Sequence, residues 1–458
     1  MRSSFRSNLF RQIFLGVAVL LSFTSHALTS KTSNYIQGSA PYLTFDGGRT
    51  RAVDTDSLLS ITLSNGVQYT PSTNTSSPEN PIVLPVAGQS FSDIGMFVPT
   101  DTNSVDLSAL IAPPYNYWGD YDGDSDVTAT GSLRVSISSI RLRTGSRYYS
   151  RSTVLEICTA PYEVSLYSTG GTLSTRYGVP SSSTFNASYV TYYVTPNPNN
   201  EPKVCFADPA EDVFTHDGIR ASMWDPAYGF LPQSTDSYDK NFPTTGANNM
   251  SFNLRLAGNN QALSWSPVSR GGITATMTNS TAKGVRVTLT GPVATESQWN
   301  SSNPGLIAKL TLPQTFELVG RDSSGKAIVK YGFTLKQWFV NRGKAYYTYP
   351  SMESWCNKIG YRMPTVKDLT NAKRYEATGA EPSSSGDYYQ HSIGAGFIAE
   401  WGNPSLYKDA NFGTNKLWTN VITGNNEFNR FVVFPEDGHI HWAYIGYDIT
   451  LGGLCTLP

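Results

Sequence analysis

The sequence of 458 residues is long enough for about two to four domains of ordinary size. Aromatic residues make up 12% of it and charged residues 15%, which excludes an intrinsically disordered chain, because disorder requires few aromatics and high net charge. The formal net charge of −1 gives no global field that would attract nucleic acid or an anionic membrane.

Residues 1–27 have the pattern of a signal peptide. Three arginines lie within the first eleven residues, an apolar run extends from Ile13 to Phe23, and the small residues Ser25 and Ala27 occupy the positions of a cleavage site. The apolar run is too short to span a bilayer comfortably, so we expect cleavage rather than a retained anchor. The pattern predicts a secreted or surface-displayed protein with no transmembrane segment in its mature chain.

Residues 28–114 carry few regular signals. The alternating run Leu58–Leu63 predicts a strand, and the stretch Pro71–Pro78, rich in Pro and Ser, predicts a loop. We therefore expect an irregular β region at the start of the mature chain.

Two β-sandwich domains are predicted to follow, at residues 115–212 and 213–343. Short alternating strands separated by Gly- and Ser-rich turns are typical of this architecture. In the first domain we predict strands at Leu133–Ile137, Tyr162–Tyr167, Ser188–Val194 and Val204–Phe206, with a turn at Thr169–Gly171. In the second we predict strands at Phe252–Leu256, Val285–Leu289, Lys309–Leu312 and Ala327–Tyr331.

Residues 344–458 predict an α+β domain. Met352, Trp355, Cys356 and Ile359 have the spacing of an amphipathic helix, with Ser351 at its start and Gly360 at its end. A second helix is predicted from Val366 to about Tyr375, with Thr365 and Asp368 forming a variant capping box. Late aromatic strands are predicted at Phe431–Phe434 and His441–Ile445. The fold class is thus mostly β, with Ig-like sandwiches followed by an α+β domain.

Four cysteines in an exported chain predict two disulfide bonds, for which three connectivities exist. We favour Cys158–Cys205 and Cys356–Cys455, because each pair then falls within one predicted domain. A zinc site is the alternative, but no CxxC or HxxxH spacing supports it.

The run Asp120–Asp126 is the strongest metal-like signal. The carboxylates of Asp120, Asp122, Asp124 and Asp126 alternate around a glycine, and such oxygens suit Ca²⁺. The run is not an EF-hand loop, because its twelfth position is a glycine. The alternative is a solvated acidic turn between strands. Ca²⁺ is the single cofactor that the sequence suggests.

The aromatic content raises the question of a binding face. Trp401, Trp418 and Trp442 are either core residues or members of a surface that binds a partner, since rigid aromatics dominate binding hot spots. No GxSxG or comparable catalytic motif is present, so we expect a binding protein rather than an enzyme.

Ordered motifs give the sequence a family resemblance. The C-terminal motifs resemble those of the C-type-lectin-like tip domain of the invasin and intimin adhesins of Gram-negative bacteria: Trp355-Cys356, Tyr361-Arg362-Met363-Pro364-Thr365, Ala399-Glu400-Trp401-Gly402-Asn403 and Leu417-Trp418-Thr419. Upstream segments are similar to the adhesion domain of enterobacterial invasin-like proteins, among them Tyr117-Trp118-Gly119-Asp120, Phe242-Pro243-Thr244-Thr245-Gly246-Ala247-Asn248 and Lys336-Gln337-Trp338-Phe339-Val340. The resemblance extends over about residues 115–458.

The resemblance implies an adhesin that binds a receptor on a host cell or on a bacterial surface, and it implies the pairing of the last two cysteines. The chain has no room for the outer-membrane barrel of that family, so a separate barrel protein is a further expected partner for export or display. Neither Glu381-Pro382-Ser383 nor Trp418-Thr419-Asn420 has the ligand set of Ca²⁺-dependent sugar-binding lectins. We expect the receptor surface at Trp401, Tyr407, Trp418, Asn425, Asn426 and Glu427.

Two other functions remain open at this point. One is a carbohydrate-binding module that acts without metal through aromatic stacking. The other is a secreted regulatory protein that binds the separate barrel.

Overall fold

The computed structural model describes residues 39–458 except 122, 125, 140–145, 199–201, 210–221, 375, 425, 447 and 458. The predicted signal peptide lies outside the described residues. Two compact units are present. The smaller unit takes its described residues from Met1–Leu58, Val105–Leu133 and Ser168–Ser188. The larger unit takes its described residues from Leu59–Ser104, Arg134–Tyr167 and Tyr189–Pro458.

The described chain is mostly β. Its strands are β1 Tyr42–Leu43, β2 Ile61–Thr62, β3 Gln68–Tyr69, β4 Ile82–Val83, β5 Ser104–Asp106, β6 Trp118–Gly119, β7 Thr128–Ala129, β8 Ser132–Ser139, β9 Arg147–Tyr148, β10 Tyr162–Ser174, β11 Ser182–Thr195, β12 Lys203–Pro209, β13 Trp224–Asp225, β14 Gly229–Phe230 and β15 Thr245–Ala247. They continue with β16 Ser251–Ala257, β17 Ser264–Trp265, β18 Val268–Arg270, β19 Ile273–Thr281, β20 Gly284–Thr290, β21 Gln314–Arg321, β22 Ala327–Leu335, β23 Gln337–Tyr347, β24 Lys373–Arg374, β25 Ala377–Thr378, β26 Leu417–Thr423, β27 Asn426–Val433, β28 Ile440–Tyr444 and β29 Leu451–Leu457.

The helices are short. They are α1 Thr55–Leu58, α2 Leu107–Ile111, α3 Glu296–Trp299, α4 Tyr349–Lys358, α5 Val366–Leu369 and α6 Phe397–Trp401. Single 3₁₀ turns lie at Phe91–Asp93, Tyr238–Lys240, Pro404–Leu406 and Lys408–Ala410. Among the described residues, none of the helices combines the length and the apolar character needed to cross a membrane.

In the smaller unit, β1 pairs antiparallel with β6, and β7 pairs with the end of β10 through Leu173 and Ala129. Leu43, Leu107 and Leu110 are completely buried, so α2 contributes an apolar face to this unit. The unit is therefore built from three separated stretches of sequence, each of which supplies at least one paired strand.

The larger unit contains a β-sandwich. One sheet has the order β13-β14-β12-β16-β20-β19-β18 and the other the order β17-β21-β22. Strand β20 alternates buried Val285, Val287 and Leu289 with partly exposed residues, which is the pattern of a sheet with one face in the core. Phe252 of β16 meets Phe333 of β22 edge to face, with ring centroids 5.9 Å apart, so the two sheets pack on one aromatic core.

The C-terminal part of the larger unit is organised around the sheet β15-β23-β29-β26-β27-β28. Helix α4 buries Met352, Trp355 and Cys356, and the disulfide between Cys356 and Cys455 links this helix to β29. Both predicted disulfides, Cys158–Cys205 and Cys356–Cys455, are confirmed. The prediction of a mostly β chain with an α+β C-terminal part is also confirmed.

The structure places the domain boundaries differently from the sequence prediction. Strand β12 pairs with β16, so residues 203–209 belong to the sandwich that follows them and not to the domain predicted at 115–212. Strand β23 runs through the boundary predicted between residues 343 and 344. Within residues 28–114, β4 pairs with β11, so this segment is not a separate β region.

Several predicted elements also differ. Leu58 ends α1 instead of beginning a strand. Residues 309–312 form no strand, and the next strand, β21, begins at Gln314. The turn predicted at Thr169–Gly171 is absent, because these residues lie within β10, where Gly170 and Gly171 take positive φ values. Helix α4 begins after Thr348 rather than Ser351.

The second C-terminal helix is shorter than predicted, although its start is confirmed. The capping box of Thr365 and Asp368 is present, but α5 ends at Leu369. Thr370 is buried with an extended backbone, Asn371 is also buried, and the Asn371 side chain donates to the backbone oxygens of Pro382 and Gln390. These long-range bonds replace the next helical turn.

Candidate functional site

The three aromatic residues predicted to form the receptor surface are buried. Trp401 and Trp418 are completely buried, and Tyr407 is 4% exposed. Each also uses its polar atom internally: Trp401 donates to the Thr245 backbone oxygen, Tyr407 to that of Trp401 and Trp418 to that of Tyr347. The prediction that these three rings form part of the receptor surface is therefore wrong, because they pack in the core and present no face to a partner.

Trp401 belongs to what we call the buried junction, formed by Thr244, Thr245, Glu400 and Trp401. The completely buried carboxylate of Glu400 accepts hydrogen bonds from the backbone N–H and the hydroxyl of both threonines, at 2.6–3.1 Å, and from the Gly394 N–H at 2.8 Å. Burial raises the pKa of Glu400, and these bonds oppose that rise.

The buried junction explains two of the sequence motifs. Phe242-Pro243-Thr244-Thr245 and Ala399-Glu400-Trp401 are about 155 residues apart along the chain, yet the ring centroids of Phe242 and Trp401 lie 4.9 Å apart. The two motifs join β15 to α6 and are structural in this chain. No sequence signal distinguishes such a partner pair from a binding site before the fold is known.

A different set of aromatic residues is exposed on the last sheet. Phe428 is 49% exposed and Trp442 is 47% exposed. The rings of Phe428 and Tyr444 have centroids 6.1 Å apart. Trp442 lies two residues before Tyr444 on β28, so Trp442 and Tyr444 face the same side of the sheet. We call Phe428, Trp442 and Tyr444 the aromatic surface.

The aromatic surface is anchored by strand pairing. Tyr444 pairs with Asn429, and Trp442 pairs with buried Phe431. The backbone N–H of Ile445 donates to the Phe428 oxygen at 2.7 Å and fixes the end of β28 against β27. The rings are thus presented by a paired sheet rather than by a free loop.

The remaining predicted receptor residues flank this surface. Asn426 and Glu427 are exposed at the start of β27, and the Asn426 side chain accepts a hydrogen bond from the Phe428 N–H at 3.0 Å. Asn425 lies outside the described residues. The structure therefore brings Asn426 and Glu427 beside Phe428 and separates them from the buried Trp401, Tyr407 and Trp418.

Two histidines, His439 and His441, lie close to Trp442 along the chain. His441 stacks against Trp442 with centroids 6.0 Å apart, and its Nδ1 lies 2.8 Å from the Trp442 oxygen. Burial and the neighbouring Arg374 lower the pKa of His439, which is therefore neutral at pH 7. The exposed rings can bury apolar area against a partner, and the exposed carboxylate of Glu427 lies beside Phe428 at the edge of this surface.

The acidic run lies in the smaller unit, and Asp122 is outside the described residues. The Asp124 carboxylate accepts from the Tyr177 N–H at 3.1 Å, and Asp126 lies 3.9 Å from Arg176. The Asp124 N–H donates to the Asp120 carboxylate. Among the described residues, no group of three His, Cys, Asp or Glu side chains is arranged to hold a metal ion. Ca²⁺ binding by the complete run stays a prediction.

Comparison with known proteins finds sequence relatives that match part of the chain and solved structures that are distantly similar. The sequence matches no protein-family model. It is 28% identical over 157 residues to the inverse autotransporter adhesin YeeJ of Escherichia coli K12, a match that covers 32% of this chain and 6% of that protein's length.

Two solved structures show distant similarity. The structure of invasin, described as a bacterial integrin-binding protein, is 13% identical, with a TM-score of 0.34 over 74% of this chain and 52% of that one. The C-terminal 282-residue fragment of intimin, solved with the intimin-binding domain of the translocated intimin receptor, is 9% identical, with a TM-score of 0.31 over 73% and 100% of the two chains.

Sequence reasoning missed Phe428 and Tyr444. The sequence left Trp442 open between a core residue and a member of a binding surface, because tryptophan content alone does not separate buried rings from exposed ones. The available signal was the alternation in β28, where aromatic residues occupy every second position of a strand near the end of a sheet. Such alternation identifies a shared face, although only the sheet order shows that this face is uncovered.

Proposed function

We propose that this chain is the receptor-binding part of an adhesin exported to the bacterial surface or secreted, and that it binds a receptor protein through the aromatic surface together with Asn426 and Glu427. The α+β C-terminal part would be a C-type-lectin-like module without a Ca²⁺-dependent sugar site. The chain would act by binding and not by catalysis.

The exposure of Phe428 and Trp442 carries the proposal. Large aromatic side chains are normally buried, and an exposed group of them marks a surface that is covered in a complex. Trp and Tyr are also the residues most enriched at binding hot spots. The similarity to an adhesin over 157 residues supports the same conclusion.

Binding of the purified protein to cultured epithelial cells tests the proposal. We would compare the secreted chain with Phe428→Ala, Trp442→Ala and the double variant. Each single change should weaken binding by about 30-fold, which corresponds to a hot-spot loss of about 2 kcal/mol. Tyr189→Ala is the control, because Tyr189 is also an exposed aromatic residue, 72% accessible, and lies on β11 outside the aromatic surface. Unchanged binding by the double variant would refute this surface.

The same assay with EDTA tests the predicted Ca²⁺ site. Loss of binding that Ca²⁺ restores would assign a role to the run of Asp120, Asp122, Asp124 and Asp126. Binding that is insensitive to EDTA would leave receptor binding to the aromatic surface alone.

A metal-independent glycan-binding module is the second candidate. The exposed indole of Trp442 favours it, since an aromatic face stacks on the apolar face of a sugar ring. A glycan array separates the two candidates. Specific hits that disappear in Trp442→Ala would favour the glycan module, and binding to cells after enzymatic removal of surface glycans would favour a protein receptor.

A further inference from the structure

A second candidate site lies on the outer face of the sandwich, and none of its residues belongs to the aromatic surface. A cleft of about 710 Å³ is lined by polar residues of β16, β19 and β20 and by residues 408–411. This volume is within the range of small-molecule sites, about 300–1,000 Å³. The lining contains no aromatic or aliphatic side chain, which distinguishes it from the aromatic surface. We call it the asparagine cleft.

Three asparagines of the cleft have an uncommon backbone conformation. Asn249, Asn279 and Asn411 have φ values of 64°, 54° and 57°, in the left-handed region. Among the described residues other than glycine, Asn116 is the one further residue with a positive φ. Residues held in this region cluster at binding sites, where a fixed backbone presents a side chain to a ligand. Three of four such residues thus lie at one cleft.

The segments that form the cleft are held together. The Asn249 side chain donates to the Asp409 backbone oxygen at 2.9 Å and links the start of β16 to residues 408–411. On β20, Arg286 donates to the hydroxyl of Ser251, a residue that is 2% exposed, at 2.7 Å. Asn249 and Ser251 are therefore positioning residues, and the asparagine cleft is formed before any ligand enters.

The charge of the cleft favours an anion. Arg286 and Lys408 provide two cations against the single carboxylate of Asp409. A guanidinium has five N–H donors, and one hydrogen bond to Ser251 leaves most of them for a ligand. Within the described part of the chain, Lys408 forms no ion pair within 4.0 Å. A planar carboxylate matches the fork of an arginine.

We propose that the asparagine cleft binds an acidic saccharide. Its carboxylate would pair with Arg286 and Lys408, and its hydroxyls would bond to the amides of Asn279 and Asn411. Amides and hydroxyls satisfy the many hydroxyls of a sugar, whereas an acidic peptide would find no apolar lining for its other side chains. This site is independent of receptor binding at the aromatic surface.

Titration calorimetry with the whole secreted chain tests the proposal. The probes are sialyllactose, neutral lactose and tetraglutamate. Sialyllactose should bind at least about ten-fold more tightly than either of the others, because lactose lacks the carboxylate and tetraglutamate lacks the sugar hydroxyls. Its affinity should fall as salt increases. Absence of binding, or equal binding of lactose or tetraglutamate, would overturn the proposal.

Matched variants assign the binding to the cleft. Arg286→Gln and Lys408→Gln should each weaken sialyllactose binding by about ten-fold, while Lys326→Gln, which removes an exposed charge elsewhere, should not. Asn279→Gly keeps the left-handed backbone and removes the amide, so it should lower affinity without lowering the unfolding temperature. Because Arg286 supports Ser251, Lys408→Gln decides the result if Arg286→Gln misfolds.

The Phe428→Ala, Trp442→Ala double variant separates this site from the proposed receptor surface. It should bind sialyllactose as tightly as the unchanged chain, whatever its binding to cells. Full affinity in Lys408→Gln and Asn279→Gly would place the saccharide elsewhere and overturn the assignment.

Discussion

Trp401 and Trp442 belong to the same compact unit, yet the first is completely buried and the second is 47% exposed. Trp401 donates its indole N–H to the Thr245 backbone and packs on Phe242, beside the five donors that surround Glu400. Trp442 lies on β28, which pairs with β27, and about half of its side chain is exposed. The buried junction and the aromatic surface thus use the same residue type in opposite environments.

The difference shows where stability and binding are separated in this chain. Residues of the buried junction contact partners about 155 residues away along the sequence. Residues of the aromatic surface require only an exposed position on a stable sheet. Changes at the junction should therefore lower the free energy of unfolding, and changes at the surface should lower affinity alone.

The largest effect is expected from removing one side of the buried junction altogether. The isolated fragment 344–458 lacks Thr244 and Thr245, and it lacks residues 337–343 of β23, in which Trp338 and Val340 pair with β29. We expect this fragment to show no cooperative thermal unfolding, because the Glu400 carboxylate would be left without four of its five donors. A cooperative transition at the midpoint of the whole chain would contradict a structural role for the junction.

The next largest effect is expected for Glu400→Ala. Removing the carboxylate leaves buried threonine hydroxyls and backbone N–H groups without acceptors, so the free energy of unfolding should fall by about 3–5 kcal/mol. Glu427→Ala is the matched control, because that glutamate is exposed, and it should change stability by less than about 0.5 kcal/mol. Denaturant titration measures both. Equal effects of the two substitutions would show that burial does not separate the regions.

A smaller effect is expected at Asp368, whose side chain is 14% exposed and which caps α5. Burial alone would raise the pKa of Asp368, but hydrogen bonds from Arg362, Thr365 and Gln337 lower it overall. A carboxyl group whose pKa is lowered by folding stabilises the folded chain at pH values above its ordinary pKa. This contribution is lost as the pH falls through the pKa of the folded state.

Asp368→Asn should therefore cost about 1–2 kcal/mol at pH 7, since an amide still caps the helix but cannot pair with Arg362. The difference in stability between the variant and the unchanged chain should shrink as the pH is lowered from 6 to 3. Comparing the two proteins at each pH cancels the titration of Glu400. A difference that does not depend on pH would assign no charge contribution to Asp368.

The extent of sequence-based prediction follows the same division between local and distant contacts. The capping box of Thr365 and Asp368 and the strands at 133–137 and 285–289 were predictable, because spacing within short stretches determines them. Both disulfides were also predicted, although Cys205 lies on β12, which belongs to the sandwich that follows and not to the domain predicted at 115–212. The domain boundaries were not, because β12 and β23 join sheets whose other strands lie far along the chain.

The candidate site was predictable only in part. Of the residues expected in the receptor surface, Asn426 and Glu427 are exposed beside Phe428. The prediction that Trp401, Tyr407 and Trp418 lie on the surface was wrong, because neither aromatic content nor the position of a motif determines whether a side chain is buried. Their burial depends on β15 and on residues near Tyr347, which only the folded chain brings to them.

The smallest effect on stability is expected for the double variant Phe428→Ala, Trp442→Ala. Both rings are about half exposed, so truncation removes little buried area, and the pairing of β27 with β28 through the backbone is unchanged. The free energy of unfolding should fall by less than about 1 kcal/mol and the unfolding midpoint by less than about 4 °C. A loss as large as that of Glu400→Ala would mean that Trp442 acts as a core residue. The exposed rings would then be explained by stability, and the aromatic surface would lose the observation that assigns it to a receptor.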